Sequence, residues 1–322
     1  MPHHMNNKMW LVGPGLMGIE YAKVLQAQDV PFEVIGRGAR SAAFFTNTTG
    51  IPVRQGGLQL ALHQATQMPD AVIVAVSAEE LAEAALLLLR NGVRKILLEK
   101  PAGITLDEIV RIADEAEKQE AEVYVAYNRR FYASTLKAQS IIAEDSGVTS
   151  FTFEFTEWSH QIVDLEKDPR VKRNWFLANS THVVDLAFHL GGVPKRICCY
   201  QSGGLKWHPS ASVFTGAGVT KGGALFSYHA NWEAPGRWKV EILTRKHRLI
   251  FCPLEKLQVQ EIGSTTIEEV KLENELDLKF KPGLFRQVKA FLTGENSDRL
   301  ATIASHKDMA QRVFCKMANQ KE

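Results

Sequence analysis

The segment that most constrains the fold is Lys-Met-Trp-Leu-Val-Gly-Pro-Gly-Leu-Met-Gly at residues 8–18. A short apolar run leads into Gly13, Gly15 and Gly18, and a helix-favouring segment follows at once. In a strand–turn–helix unit, glycines at this spacing make the tight turn, admit a pyrophosphate to the backbone, and bring the helix close to the strand. The free N–H groups and the positive dipole end of the helix then bind the diphosphate. The segment therefore predicts a dinucleotide site rather than a plain turn.

Apolar runs and helical periods alternate along the first 125 residues. The continuous apolar run at Ala71–Val76 is typical of a parallel strand that is buried on both faces. Further strands are predicted at 8–12, 32–35, 95–98 and 123–126, and helices at 79–91 and 105–119, the latter with Thr105 as N-cap. This alternation predicts an N-terminal Rossmann domain, a doubly wound parallel sheet, over residues 1–125.

The pattern changes beyond residue 126. Phe151, Phe153 and Phe155 alternate with polar residues in a predicted strand at 149–158. Between residues 196 and 270, strand-like runs follow one another without intervening helices, so an open, largely antiparallel or mixed sheet is expected. Helices are predicted at 132–144, 181–190, 284–292 and 302–317. Residues 126–322 are therefore expected to form a second α/β domain.

Composition argues against several classes of partner. Lys plus Arg number 38 against 36 Asp plus Glu, and the net charge of +2 gives no reason to expect nucleic acid or an anionic membrane as a partner. The longest apolar run, Leu81–Leu89, is too short to span a bilayer, and residues 1–8 lack the apolar core of a signal peptide. The four cysteines have no C-x-x-C spacing, which favours free thiols and a cytoplasmic location.

Three further motifs accompany the glycine turn. Glu99-Lys100-Pro101 follows a predicted strand, at the edge where open α/β sheets bind ligands. Tyr-Asn-Arg-Arg-Phe stands at residues 127–131, and His182 and Asp185 share one helix face. In this order and spacing, the four motifs resemble the Gfo/Idh/MocA oxidoreductase family, which includes glucose–fructose oxidoreductase and inositol dehydrogenase. The resemblance covers nearly the whole chain.

The resemblance implies roles for several residues. It implies a Rossmann domain, a second domain for substrate binding and oligomerisation, and a substrate held between them. It implies that Glu99 contacts the nicotinamide ribose region, that Lys100 is the catalytic lysine, and that the Lys100–Pro101 bond is cis. A partly desolvated lysine exchanges a proton near neutrality, which suits this role. The alternative for Lys100 is a surface lysine paired with Glu99.

The histidine motif carries a departure from the family pattern. His182 matches a histidine that acts as acid/base or holds substrate hydroxyls, and Asp185 matches an aspartate that binds substrate or orients its neighbours. Members that oxidise polyols often carry an aspartate four residues before the histidine, where this chain has Ala178. Lys100 and His182 are therefore the predicted proton-handling residues. The alternative for His182 is a capping or core histidine; His189 is read as structural, and no metal site is expected.

The end of the second strand bears on the choice of cofactor. NAD-specific Rossmann domains place Asp or Glu about 20 residues past the glycine turn, whereas this chain has Gly36 or Arg37 there. Arg37, Arg40 and Ser41 suit a ribose 2′-phosphate, so NADP(H) is preferred over NAD(H); a solvated basic loop is the alternative. The residues expected to bind the cofactor are Gly13, Gly15, Leu16, Met17, Gly18, Arg37, Arg40, Ser41, Val76, Ser77, Glu99 and Lys100.

The substrate is predicted at the level of chemical class. Its expected binding residues are Asn128, Arg129, Arg130, Trp175, Asn179 and Asp185. Aromatic and hydroxyl-binding side chains suit a sugar, and the two arginines suit the phosphate or carboxylate of a nucleotide-linked sugar, unless either simply pairs with a carboxylate. The predicted activity is an NAD(P)-dependent hydride transfer, with keto-sugar reduction as the favoured direction. The alternatives are a catalytically idle NADP(H)-binding sensor or regulatory subunit, and a Rossmann domain that binds another nucleotide without redox work.

The aromatic content of the second sheet leads to an expectation about assembly. Phe151, Phe153, Phe155, Phe226, Tyr228 and Trp232 give that sheet much apolar surface. Because helices are expected to cover one face alone, the other face is predicted to form a homodimer or homotetramer interface.

Overall fold

The computed structural model describes residues 8–319 and divides the chain into two compact units. The first unit runs to Tyr127 and includes Leu284–Asp308, and the second comprises Asn128–Gly283 and the residues from Met309 onward. Residues 1–7, part of the segment read as lacking a signal sequence, and 320–322 lie outside the described residues. No helix within residues 8–319 is long and apolar enough to cross a membrane.

The elements are numbered here in chain order. The strands are β1 Met9–Val12, β2 Phe32–Ile35, β3 Val53–Arg54, β4 Ala71–Val74, β5 Lys95–Leu98, β6 Glu122–Val125, β7 Ser150–Glu154, β8 Pro194–Ser202, β9 Val213–Thr220, β10 Leu225–Asn231, β11 Lys239–Leu243, β12 His247–Phe251, β13 Gln258–Glu261, β14 Glu268–Glu269 and β15 Ala301–Thr302. The α-helices are α1 Leu16–Ala27, α2 Ala39–Thr49, α3 Gly57–Gln64, α4 Leu81–Arg90, α5 Leu106–Lys118, α6 Ala133–Glu144, α7 Ser159–Ile162, α8 Pro169–Arg173, α9 Thr181–Gly191, α10 Glu275–Lys279, α11 Leu284–Thr293, α12 Ile303–Met309 and α13 Cys315–Met317.

The first unit is built on a doubly wound sheet of order β3-β2-β1-β4-β5-β6-β15. Strands β1 to β6 pair in parallel, as predicted for a Rossmann fold. Every residue of β1 and β4 is buried, because helices cover both faces of the sheet and only continuous apolar runs fit there. Helix α5 begins where predicted: the Thr105 hydroxyl accepts from the Glu108 amide at 3.3 Å, in a capping box.

Residues 284–308 return to the first unit, whereas all of 126–322 was predicted to belong to the second domain. The side chain of Gln28, the residue after α1, donates to the Phe285 carbonyl on α11 at 2.9 Å, and the Lys95 ammonium lies 5.4 Å from the Phe291 ring centre. Strand β15 then pairs antiparallel with β6 and extends the Rossmann sheet. The periodicity predicted these helices but carries no information about the partner on which each one packs.

The second unit is built on a mixed sheet of order β14-β13-β12-β11-β7-β10-β9-β8. Its described pairs are antiparallel except for β7 with β10. The rings of Phe151, Phe153 and Phe226 all pack edge-on against Phe188 of helix α9. The helix therefore covers the aromatic face of the sheet.

The aromatic residues that suggested an oligomer interface are buried in this core. Phe151, Phe153, Phe155, Phe226, Tyr228 and Trp232 are all buried within the chain. The opposite face of the sheet exposes Tyr200 (69%) and Leu225 (63%) among more polar neighbours such as Ser227. The argument that these aromatics form an uncovered apolar face is therefore wrong, and the homo-oligomer itself stays a prediction.

Candidate cofactor and substrate sites

Each glycine of the turn between β1 and α1 has a distinct steric setting. Gly13 has φ +110°, and a Cβ there would lie 2.5 Å from the Ala75 carbonyl oxygen. A Cβ on Gly18 would lie 2.1 Å from the Gly13 carbonyl oxygen, so only glycine lets α1 approach the turn this closely. Gly15 faces open space, with no atom within 4 Å of a Cβ placed there. The turn thus combines two closely packed glycines with one that leaves its backbone accessible.

A cleft of about 770 Å³ opens in front of this turn and is called the glycine-loop cleft below. Of the predicted cofactor residues, its lining includes Gly13, Gly15, Arg37, Ser41, Val76 and Ser77. Leu16 and Met17 form the first turn of α1, where backbone N–H groups have no partner inside the helix. The geometry therefore presents backbone donors and a positive helix end to an anionic group in the cleft.

The end of β2 lacks room for an acidic side chain. A Cβ on Gly36 would lie 2.7 Å from the Pro14 Cγ and 2.8 Å from the Val53 Cγ1. The next residue, Arg37, is 80% exposed, and its Nη1 lies 2.8 Å from Glu80 Oε1. Steric crowding at Gly36 and a cation at Arg37 thus replace the acidic group that NAD-specific domains carry.

Two further residues of this region differ from expectation in their surroundings. Arg40 lies exposed in the first turn of α2 and is absent from the lining of the cleft, whereas the Ser41 hydroxyl lies in it and donates to the Gly38 carbonyl at 3.0 Å. Glu80, which the sequence analysis missed, lines the cleft and accepts from the Ser77 hydroxyl at 3.3 Å. Glu80 lies between β4 and α4, so no local pattern connects it with Arg37.

The Glu99-Lys100-Pro101 segment directly follows β5, and its Lys100–Pro101 bond is cis, as predicted. The Tyr21 hydroxyl donates to Glu99 Oε1 at 2.7 Å. Burial, followed by the neighbouring Glu99 carboxylate, raises the pKa of Tyr21 well above its usual range, so Tyr21 stays protonated as a donor. On the other side, His306 Nε2 lies 2.9 Å from the Pro101 carbonyl oxygen. Glu99 and Lys100 lie outside the lining of the glycine-loop cleft, at the end of the strand next to β4.

In the second unit, Arg130 and Asp185 form a closed pair. Arg130 Nε donates to Asp185 Oδ2 at 2.8 Å, and its Nη2 donates to Oδ1 at 2.5 Å. Asp185 is buried, and the fork geometry satisfies both carboxylate oxygens. The alternative considered for the arginines, a pairing with a carboxylate, thus applies to Arg130. The neighbouring Asn128 donates through Nδ2 to the Pro282 carbonyl at 2.9 Å.

Glu157 is a buried carboxylate that was not among the predicted site residues. It accepts hydrogen bonds from Asn179 Nδ2 at 3.0 and 3.1 Å and from the Ser180 hydroxyl at 2.8 Å. Asn179 and Ser180 belong to a π-helical turn that leads directly into α9. Burial raises the pKa of Glu157, while these hydrogen bonds act in the opposite direction. Ala178, where many family members carry an aspartate, thus lies beside a segment that is held by a carboxylate from the loop after β7.

Aromatic rings surround the remaining predicted residues of the second unit. The His182 ring centre lies 6.1 Å from that of Trp238, and the Trp175 ring meets Trp207 edge-on at 6.0 Å. The Arg129 guanidinium lies 4.9 Å from the centre of the Trp238 ring. Within residues 8–319 no group of three or more His, Cys, Asp and Glu side chains is arranged to hold a metal ion.

The comparisons with known proteins agree with this geometry. Residues 8–127 match the family model described as "Oxidoreductase family, NAD-binding Rossmann fold", named for Gfo/Idh/MocA. No curated protein sequence matches the chain. The match covers the glycine turn and the Glu99-Lys100-Pro101 segment.

Solved structures extend the likeness of fold to the full chain. An oxidoreductase from Agrobacterium radiobacter in complex with NAD⁺, L-tartaric acid and magnesium has 13% identity and a TM-score of 0.77, over 98% of each chain. The WlbA dehydrogenase from Bordetella pertussis in complex with NADH and UDP-GlcNAcA has 15% identity and a TM-score of 0.73, over 98% of this chain and 97% of the other. A levoglucosan dehydrogenase in complex with NADH and levoglucosan has 18% identity and a TM-score of 0.74, over 98% of each chain. The resemblance stated from the motifs is thus confirmed for residues 8–127, which match the NAD-binding Rossmann domain of the Gfo/Idh/MocA oxidoreductase family model, and the solved structures show that the rest of the chain has the same fold as such oxidoreductases.

Proposed function

We propose that this protein is an NAD(P)-dependent oxidoreductase that transfers a hydride between nicotinamide and a carbinol or carbonyl carbon of a sugar or nucleotide-linked sugar. The observation that carries this proposal is the pairing of the glycine-loop cleft with a braced Glu99-Lys100-Pro101 segment in one Rossmann unit. The fold neighbours support the substrate class, since two of them were solved with NADH and a sugar or nucleotide sugar.

The residues of the cleft fit a dinucleotide. Gly15 and the first turn of α1 would hold the diphosphate, and Arg37 with Ser41 would hold a ribose 2′-phosphate, so NADP(H) is the preferred cofactor and NAD(H) the second. When bound, a nicotinamide supplies or accepts the hydride. An acidic partner for the 2′-hydroxyl does not fit at Gly36 for steric reasons, which supports the preference.

The protein's own part of the chemistry is proton transfer and orientation. Lys100 is the proposed proton donor or acceptor at the substrate oxygen, and His182 of the second unit is the proposed assistant. Tyr21 holds the Glu99 carboxylate and His306 holds the Pro101 carbonyl, on either side of Lys100. These two contacts limit the orientations of the Lys100 side chain. With NADPH as reductant, the favoured direction is reduction of a keto-sugar.

The test is turnover by the wild type and Lys100→Met. Keto-sugars and nucleotide-linked keto-sugars are screened by loss of NADPH absorbance, and Lys100→Met is then assayed on the best substrate. Loss of the main proton donor should lower kcat by a factor of about 10²–10⁴ while NADPH affinity, measured by fluorescence titration, stays within about twofold. Wild-type turnover by Lys100→Met would refute the role of Lys100. An NADPH-binding protein that turns over none of the substrates would favour the sensor alternative instead.

A further inference from the structure

We infer that the second unit carries a recognition site for an anionic group on the substrate, formed by the guanidinium groups of Arg129 and Arg237, both of which lie against the Trp238 indole. That the ligand of this site is the substrate rests on the proposed function. Its geometry concerns the second unit alone.

Arg129 is the central member of this group, which is called the Trp238 cluster below and comprises Arg129, Arg237 and Trp238. Its guanidinium lies 4.9 Å from the Trp238 ring centre and 5.9 Å from that of Tyr132. Its Nε is buried and has no hydrogen-bond partner within residues 8–319. Its Nη1 makes one long contact, 3.4 Å to Asn128 Oδ1. A buried guanidinium nitrogen without an acceptor is costly, so a ligand that supplies an acceptor is stabilised there.

The carboxylates near Arg129 leave this donor capacity open. Glu157 and Glu255 act on it electrostatically, but Arg129 has no ion pair within 4 Å among the described residues. The oxygens of Glu157 already accept from Asn179 and Ser180. Arg130, the adjacent residue, shows the contrasting situation, since Asp185 occupies its whole fork. Of the two predicted arginines, Arg129 is therefore the one able to bind an external anion.

Arg237 and the two neighbouring indoles extend the cluster toward solvent. The Arg237 guanidinium lies 4.8 Å from the Trp238 ring centre and 4.7 Å from that of Trp158, and its side chain is 48% exposed. Its nearest carboxylate oxygen, on Glu157, is 3.8 Å away. The Trp238 Nε1, on a side chain only 7% exposed, has no acceptor within residues 8–319. The cluster therefore has a half-exposed cation at Arg237 and buried N–H donors at Arg129 and Trp238.

The chemistry of the cluster favours an oxygen anion. Its unsatisfied groups are N–H donors, and planar guanidinium groups bind carboxylate and phosphate oxygens in a fork. Stacking on Trp238 holds the guanidinium planes in place, which lowers the entropy lost on binding. The hydroxyl groups of a neutral sugar also accept hydrogen bonds, but without a negative charge they bind a guanidinium more weakly. A sugar carboxylate and the diphosphate of a nucleotide sugar share this recognition chemistry.

The experiment measures anion binding to the full-length protein by isothermal titration calorimetry, without cofactor. The probes are D-glucuronate, UDP and, as the neutral comparison, D-glucose. We expect at least one anion to bind more tightly than glucose, with an affinity that falls as salt rises. Arg129→Met should weaken that binding about tenfold or more, and Arg237→Gln by a smaller factor, because its charge is half-exposed. Arg196→Gln, which removes an exposed charge on β8, should leave the affinity unchanged.

The outcomes separate the ligand sources and the underlying proposals. Binding of glucuronate alone assigns a carboxylate sugar, and binding of UDP alone assigns a nucleotide sugar. Trp238→Phe, which keeps a ring and removes Nε1–H, tests the cluster if Arg129→Met does not fold, and should weaken binding several-fold. Binding of neither anion, or binding that is unchanged in both Arg129→Met and Arg237→Gln, would overturn the inference. Because the assay needs no turnover, failure of the redox proposal would appear separately, as absent NADPH oxidation.

Discussion

The exposed ion pair between Arg37 and Glu80 leads to a quantitative prediction about cofactor preference. An NADPH 2′-phosphate that binds Arg37 competes with Glu80, whose Oε1 lies 2.8 Å from Arg37 Nη1. The two side chains are 80% and 40% exposed, so their pair contributes roughly 0.2–1 kcal/mol. A guanidinium–phosphate contact contributes roughly 1.5–3 kcal/mol. The difference, about 1.5 kcal/mol, corresponds to about tenfold tighter binding of NADPH than of NADH.

Three variants test this reasoning in fluorescence titrations with both cofactors. Arg37→Gln should abolish the preference for NADPH, because the phosphate contact is lost while the glycine turn is intact. Glu80→Gln should strengthen NADPH binding by a few-fold and leave NADH nearly unchanged, since it removes both a competing partner and a like charge near the phosphate. Lys118→Gln removes an exposed charge of the same unit outside the cleft and serves as the control. Equal affinity of the wild type for NADPH and NADH, or a ratio that Arg37→Gln does not alter, would refute the assignment.

Four further predictions follow from particular contacts. Gly18→Ala should lower the free energy of unfolding by about 1–3 kcal/mol in urea titrations, because its Cβ would lie 2.1 Å from the Gly13 carbonyl oxygen. Gly15→Ala should keep the wild-type stability and lose NADPH affinity, because nothing lies within 4 Å of a Cβ there. The reverse pattern would contradict the roles given to the two glycines. Tyr21→Phe should lose about 1.5–3 kcal/mol of stability, for the bond to a carboxylate, and lower kcat more than it raises the Kd for NADPH; an unchanged kcat would show that Tyr21 does not position the segment around Lys100. Burial raises the folded-state pKa of Glu157, so the wild-type free energy of unfolding should fall as pH rises from the unfolded carboxyl pKa, about 4, through that raised value. Glu157→Gln lacks this titration and should therefore gain stability relative to the wild type over the same pH range. Urea unfolding at several pH values measures the difference, and a difference independent of pH would argue against a raised pKa. Light scattering should show a homodimer or homotetramer, and a 35.9 kDa monomer at micromolar concentration would refute the assembly prediction.

The parts of the fold that the sequence predicts well are those that depend on local chemistry. The continuous apolar run before Ala75 identified β4, and the Thr105–Glu108 spacing identified the start of α5, because the cause of each element lies within a few residues. Helices α2 and α3 and the two-residue strand β3 had no comparable signal. Each of these helices buries only two residues, and a glycine in the left-handed conformation bounds each of them at one end, Gly50 after α2 and Gly56 before α3.

Long-range partners are the part that sequence patterns do not supply. Arg129 and Arg130 have chemically identical side chains in the sequence. Only the folded chain shows that Arg130 pairs with Asp185, whereas the Arg129 guanidinium lies against the Trp238 ring. Likewise, residues 284–308 read as helix and extended chain in any setting. Their assignment to the Rossmann unit depends on contacts with Gln28 and Lys95 from a distant part of the sequence. Such pairings are properties of the tertiary structure.

Glu157 shows how such a pairing changes the interpretation of a missing motif residue. In the sequence, Ala178 stands where related proteins often have an aspartate, which indicates the loss of a carboxylate near His182. In the folded chain, a carboxylate from beyond β7 holds both Asn179 and Ser180, the two residues that follow Ala178. The turn that presents His182 is therefore tied by a buried acid whose oxygens accept bonds within the segment. Because Glu157 is only 2% exposed and engaged by these donors, its first effect is on the orientation of the helix start that carries His182. The absence of an aspartate at position 178 is thus compatible with a proton-handling His182, and the pH dependence of Glu157→Gln is the measurement that connects the buried acid with that turn.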